Sequence, residues 1–451
     1  MLKAPRTWGE VGGPLGAAVM SLKRLGWAFE NCLTLVTDEG LRLPLTSSSP
    51  ALVAYHIQVA WKRKLGTDAA RSLGYDGAQL DPTAFQKELR TSHRGQAFPL
   101  LKAFITQGVW STHRPRQVGY DVDATCPHCG AEADTLHHRL FQCTATEELR
   151  AEYFGADDLP RILQSPEARH LLMGFQLLPP RLAVLPSGLG YEQYESWTLT
   201  GAPLQDVMQG EVFTDGSCRK EGPITWHATG WSVVKVSRDG TLLASISGRV
   251  GRQLPQTSAA AEYVAGLAAA EYEQVTMVHS DYKNLSGVES LPAHIALHPK
   301  GMYSGIRRRI RGICGRGYHV EHCKGHVNAD TCTDPEDAFL ALGNGHADRI
   351  AGAAAAKTPR PSRRECEDWD ADSDRISRWL RYVPRALALW PMVRPTAGHK
   401  SLPKRAGPRA ATGCSFASDV LGPWAAEAGA RAHLAQTGVE SRGPQYGGSS
   451  S

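Results

Sequence analysis

The chain has 451 residues, with 50 Lys and Arg against 45 Asp and Glu for a net charge of +5. That length exceeds one ordinary core and predicts two or three folded units plus tails. So small a basic excess settles nothing about nucleic acid, and ten cysteines are too sparse for a disulfide scaffold.

The opening stretch MLKAPRTWGEVGG lacks the apolar core of a signal peptide, and no apolar run is long enough to span a bilayer. A soluble intracellular protein without a membrane partner is therefore expected. Oligomeric state is not legible in the sequence. Residues 1–119 hold two helical patterns, ALVAYHIQVAWKRKLG and AFPLLKAFITQGVW, and predict a mainly helical region.

Residues 120–150 contain CPHCGAEADTLHHRLFQC. Cys126 and Cys129 are two residues apart in a Pro- and Gly-bounded knuckle, and His138 and Cys143 follow on what reads as a short helical turn. Three thiolates and one imidazole suit tetrahedral zinc, and a closed four-ligand set leaves no position for water, so one structural Zn2+ is expected. His137 competes with His138 as the third ligand. The alternative is a set of buried free cysteines with surface histidines. Residues 151–209 form a connector with the Pro-rich LLPPRLAVLPSG, and Asp157-Asp158 within it reads as a helix start.

The stretch VFTDGSCRK places Asp215 near the end of an apolar strand. A buried carboxylate is costly to ionise without a cation or hydrogen bonds, although an Asp-Gly turn closing a hairpin would also explain it. Two β-rich runs joined by Ser-Arg-Asp-Gly follow, making a meander. QTSAAAEYVAGLAAAEYEQ then reads as an Ala-rich helix capped by Thr257 or Ser258 and carrying Glu262. VTMVHSDYKN is an apolar strand ending in Asp281, and strand ends of open α/β sheets are where ligands bind. After the Arg-rich helix SGIRRRIRGICGRG, YHVEHCKGH predicts a fifth strand, and LGNGHADRIAGAAAA a helix with Asp348 in its first turn, where the helix dipole favours a carboxylate.

Asp215 in TDGS, Glu262 in AAEYVAGL, Asp281 in HSDYKN and Asp348 in GNGHADRIAG resemble, in order and in element, the four acids of type 1 ribonuclease H. Lys324 to His326, KGH, resembles the histidine loop of the same family. The zinc-type segment upstream is similar to the region before ribonuclease H in retroelement reverse transcriptases, implying the C-terminal part of a non-LTR-like retrotransposon polyprotein or a gene derived from one. The likeness spans about 210–357 and implies an α/β fold with a five-stranded mixed sheet flanked by helices. It also implies a metal-dependent endonuclease acting on the RNA strand of RNA–DNA hybrids with two Mg2+ or Mn2+ ions. Asp215 would touch both ions, Glu262 and Asp281 would complete one and Asp348 the other, while His326 would assist proton transfer or product release. Lys324 and the run Arg307, Arg308, Arg309 and Arg311 would contact nucleic acid, unless the run is only a solvated helix face.

Two features depart from the family pattern. The segment between His326 and Asp348 is long for His326 to reach the site, and within it Asp334 or Asp337 competes for the place of the fourth acid; the pair Asp157-Asp158 resembles the paired aspartates of a reverse transcriptase but lacks an upstream polymerase palm. A proofreading exonuclease wants a second acid two residues after the first, where this chain has Ser217. The other alternative is a catalytically inactive nucleic-acid-binding remnant of a retroelement. After residue 357 the composition turns to Pro, Arg, Ala, Gly and Ser, so 358–451 reads as a mostly disordered basic tail with one short amphipathic piece, RISRWLRYV at 375–383, that either docks or frays.

Overall fold

A computed structural model describes residues 12–390 apart from 76, 92–96, 106–107, 118–120, 132, 156–168, 289 and 315–316. Asp157, Asp158 and the sequence beyond residue 390 lie outside the described residues. The chain divides into two compact units, each built from two separated segments: Met1–Ala69 with Leu178–Asp370, and Ala70–Leu177 with Ala371–Ser451.

In the first unit the helices Gly13–Arg24 and Pro50–Ser72, the latter running past the unit's first segment, flank a small antiparallel sheet. Its strands are β1 (Ala28–Asn31), β2 (Thr34–Val36) and β3 (Arg42–Pro44). This small sheet, which the sequence pattern does not announce, adds to helices that make up most of the ordered elements of residues 1–119. Strands of three or four residues offer too few alternations to register as period two, and they fold because Trp27, Leu35 and Leu43 bury together. In the second unit β4 (Leu80–Asp81) pairs with β5 (Gln176–Leu177).

The main sheet belongs to the first unit. Its strands are β6 (Tyr194–Thr198), β7 (Gly210–Arg219), β8 (Ala228–Val236), β9 (Leu242–Arg249), β10 (Val275–Ser280) and β11 (His319–His322), in the order β11-β10-β7-β8-β9-β6. β10 runs parallel to β7 and β11, and the other pairings are antiparallel. Five of these strands are the expected ones. The sixth, β6, comes from the supposed connector, and with four of its five residues exposed it has no buried face to announce it. β7 is buried continuously from residue 212 to 216 because both its faces are covered. Val212 packs with the Ser258–Ala270 helix and Phe213 with the Pro335–Ala356 helix.

The second of these helices differs from expectation. It does not open at Asp348 but at Pro335, where the Asp334 carboxylate accepts from the Glu336 N–H at 3.0 Å. Gly343, Asn344 and Gly345 read as a breaker, yet packing overrides that weak propensity. A Cβ on Gly343 would lie 2.3 Å from the Phe213 ring, so only glycine admits the ring there. Ser232 of β8 ties the helix to the sheet by donating to the Ala347 carbonyl at 2.8 Å.

The described part of the segment beginning at 358 is ordered. Residues Arg363–Leu387 form one helix. Its C-terminal half presents Ile376, Trp379, Leu380 and Val383, spaced i, i+3, i+4 and i+7, to a second-unit core with Phe104, Leu140 and Phe154. Trp379 is fully buried, stacks on Phe141 at 5.3 Å and donates from Nε1 to the Leu172 carbonyl at 2.9 Å. Trp379→Ala is expected to cost about 3–5 kcal/mol. Urea unfolding checks this, since an unordered tail would leave the transition unmoved.

Candidate metal centres

Among the described residues, two groups of side chains able to hold a metal converge, one in each unit. In the first unit, Asp215, Glu262 and Asp281 bring carboxylate oxygens within 4.8 Å of one another. β7 carries Asp215 on the face it shares with Phe213. β10 pairs Ser280 with Thr214, so Asp281, one residue past the strand end, falls beside Asp215. Glu262 sits in the second turn of the Ser258–Ala270 helix, whose N-cap Thr257 accepts from the Ala260 N–H at 3.2 Å.

Gly216 makes this convergence possible. It is not a turn residue: β7 continues through it to Arg219. A Cβ at this position would lie 2.4 Å from the Glu262 nitrogen, so the missing side chain lets the helix start touch the strand. Its N–H hydrogen-bonds to the carboxylates of both Asp215 and Glu262. Gly325 acts similarly on the far side, where a Cβ would meet Asp281 Oδ2 at 2.3 Å. In the sequence Gly216 reads as part of an Asp-Gly turn and Gly325 as the middle of KGH, and neither pattern announces the close approach.

The electrostatics are unfavourable without a cation. Asp215 is 6% exposed and Glu262 4%. Burial, then the charges of Asp281 and Asp348, push the Asp215 carboxyl up to about 7. Burial, then Asp215 and Asp281, hold Glu262 well above the usual carboxylate range. The nearby Cys323 thiol, buried and donating to Asn344 Oδ1 at 3.7 Å, is pushed up to about 12 by burial and Asp281. Crowded oxygens without a positive partner are the donor chemistry of a hard divalent cation.

Asp348 lies beside this trio rather than within it, half exposed, with Oδ2 3.8 Å from His326 Nδ1. His326 adopts a positive φ of 55°, an uncommon conformation for a residue with a side chain, and its side chain is 80% exposed. Lys324 is exposed. The arginine run is engaged within the protein. Arg307 donates to Tyr263 Oη and the Asn284 carbonyl, Arg308 to the Thr46 carbonyl, Arg309 to Tyr191 Oη and Glu271, and Arg311 to the Val288 and Leu291 carbonyls.

The second group, in the second unit, is Cys126, Cys129, His138 and Cys143. Gly130, at φ 74°, closes the knuckle by donating to the Cys126 carbonyl at 2.9 Å. The Cys126 and Cys143 sulfurs are 3.8 Å apart, about the edge of a tetrahedron with ~2.3 Å metal–thiolate bonds. Cys129 Sγ lies 3.1 Å from His138 Nε2, and the Gln142 side chain hydrogen-bonds to the imidazole. The His138–Gln142 turn is a single π-type turn. His137 is outside the set, its ring against Phe141 at 5.2 Å. The buried pair Asp134–Arg139 braces the turn, with Thr112 also donating to Asp134 at 2.7 Å.

The Asp215 shift predicts a pH signature. Unfolded, Asp215 would titrate near about 3.9, so the folded state holds the proton more tightly. That stabilising contribution is full below about pH 4 and is lost as pH rises through about 7. Asn cannot ionise. The melting temperature of Asp215→Asn should therefore gain on wild type between pH 5 and pH 8, and added Mg2+ should narrow the gap by stabilising only wild type. A pH-independent gap would contradict the site's electrostatics.

No family model matches the sequence, and no curated protein matches it. Among solved structures, the chain is similar to RNase H1 from the halophilic archaeon Halobacterium salinarum NRC-1 at 20% identity, covering 32% of this chain and 95% of that one, with a TM-score of 0.23. It is also similar to native prototype foamy virus protease-reverse transcriptase at 18% identity, covering 36% and 21%, TM-score 0.27. A foamy viral protease-reverse transcriptase in complex with dsDNA matches at 19%, covering 35% and 99%, TM-score 0.26. TM-scores this low carry no weight for fold or activity.

Proposed function

We propose that residues 210–357 form a metal-dependent endonuclease that hydrolyses the RNA strand of RNA–DNA hybrids, and that the Cys3His group is a structural zinc site. One observation carries the reading: Asp215, Glu262 and Asp281, from three different elements, present oxygens within 4.8 Å of one another. With Asp348 alongside, this is the order and placement of acids that the resemblance to type 1 ribonuclease H implies. Hard oxygen donors suit Mg2+ or Mn2+, and two such ions supply stabilisation of both the attacking and the leaving oxygens in phosphodiester hydrolysis.

The chain's own residues do the positioning. Asp215 is central, Glu262 and Asp281 flank it, and Asp348 extends the set toward solvent. The Gly216 N–H fixes two of the carboxylates. Glu262 would lie near the ribose 2′-hydroxyl, the group that marks RNA. His326, exposed and adjacent to Asp348, is placed to carry a proton between the site and solvent. Lys324 would contact phosphate, while the arginine run, already bonded internally, contributes positive field more than free donors.

Asp215→Asn keeps the shape and removes the central charge, so hydrolysis of a hybrid in Mg2+ should collapse while hybrid affinity survives. Wild type that binds hybrid but cleaves none in Mg2+ or Mn2+ would establish the inactive remnant instead. His326→Ala should slow turnover by about 10²- to 10⁴-fold if it carries the proton, and unchanged turnover would remove it from the chemistry.

Purified protein should also contain one zinc per chain by elemental analysis. Cys143→Ser should release it and loosen the second unit without abolishing hydrolysis. Absence of zinc would remove that site.

A further inference from the structure

Away from both ligand groups, the first unit contains a cavity of about 470 Å³. Leu41, Val59 and Leu254 supply apolar wall, and Tyr55 supplies a ring set edge-on to His56 at 5.2 Å. Two guanidiniums, Arg181 and Arg252, also line it. Arg252 spends one N–H on the Glu39 carbonyl at 3.2 Å. The carboxylate of Glu39, the acid in the lining, is bound by Arg63 at 2.7 Å.

Arg181 forms no hydrogen bond or ion pair among the described residues. It is exposed by surface area, yet protein surrounds it, and that burial draws its pKa below the ordinary value. Both hold for a side chain lying along a cavity open to solvent, and the charge persists because arginine titrates far above neutrality.

We infer that this cavity binds a nucleoside phosphate, with the phosphate between Arg181 and Arg252 and the base along the apolar wall and Tyr55. Inorganic phosphate would leave the apolar wall and the Tyr55 ring unmet, and a simple fatty carboxylate would bring a single negative charge to two guanidiniums. The volume is in the range of small-molecule sites. The ligand's source is either a free nucleotide or the unpaired end of a strand. The inference does not depend on the nuclease reading, because the cavity uses none of the carboxylate ligands.

Calorimetry of the full chain without added divalent cation tests it, with AMP, adenosine, inorganic phosphate and a short 5′-phosphorylated single-stranded DNA as probes. AMP should bind, and Arg181→Gln should weaken it by about tenfold or more, as should removal of the phosphate in adenosine. Arg252→Gln provides a second variant with the same expected loss. Displacement of AMP by the oligonucleotide, with the same sensitivity to Arg181→Gln, identifies a strand end, and AMP binding without such displacement identifies a free nucleotide. The inference is overturned if neither AMP nor the oligonucleotide binds up to about 10 mM. It is also overturned if Arg181→Gln leaves affinity unchanged, or if inorganic phosphate binds as tightly as AMP.

Discussion

Mutual repulsion among buried carboxylates is the constraint that the first unit is built around. Asp215 and Glu262 are nearly excluded from water and lie within a few ångströms of Asp281. Burial and like charge both raise the cost of ionising them. Such a grouping persists only if the surrounding packing is strong enough to impose it, and here the packing is close backbone contact. Gly216 admits the helix start and Gly325 admits the Asp281 carboxylate. Gly230 of β8, where a Cβ would lie 2.3 Å from the Ala355 nitrogen, lets the Pro335–Ala356 helix lie directly on the sheet.

That helix carries Asp348, so the same contact that builds the core sets a further carboxylate beside Asp215. The fully buried Phe213, two residues before Asp215 on the same strand face, seats against Gly343 and Phe339. Burying an aromatic of this size stabilises by about 1.5–3 kcal/mol, which helps to offset the electrostatic cost two residues away. The second unit solves an analogous problem with softer groups. Burial pushes the Cys143 thiol up to about 12, so a bound cation would be what makes it a thiolate at neutral pH. The turn bearing His138 is held independently by the buried Asp134–Arg139 pair and by Tyr382, which donates to the Leu140 carbonyl at 2.5 Å.

The strands and acids of the main sheet were legible because each has its own local signal: apolar runs on β7 and β10, a Thr cap before Glu262, an acid at a strand end. The Cys-x2-Cys knuckle was legible for the same reason. What escaped were features decided by tertiary contact. β6 has no buried face, and the three-stranded sheet is too short for a period. The Pro335–Ala356 helix runs through a Gly-Asn-Gly sequence that only Phe213 and Cys323 explain. The tail's composition argued for disorder, but the four apolar residues at helical spacing in RISRWLRYV are a local helix signal, and Arg363–Leu387 is helical. His326 was expected to be hard to bring to the acids across a long loop. The loop is largely helix, and the imidazole stands 3.8 Å from Asp348.

The central claim is that the fold gathers Asp215, Glu262, Asp281 and Asp348 to share the charge of divalent cations. Electron paramagnetic resonance of free Mn2+, titrated against zinc-loaded protein at neutral pH, tests it without reference to any substrate. The account predicts that about two ions per chain leave the free signal and that Asp215→Asn abolishes this uptake. An undiminished free signal with wild type, or equal uptake by the variant, would contradict it.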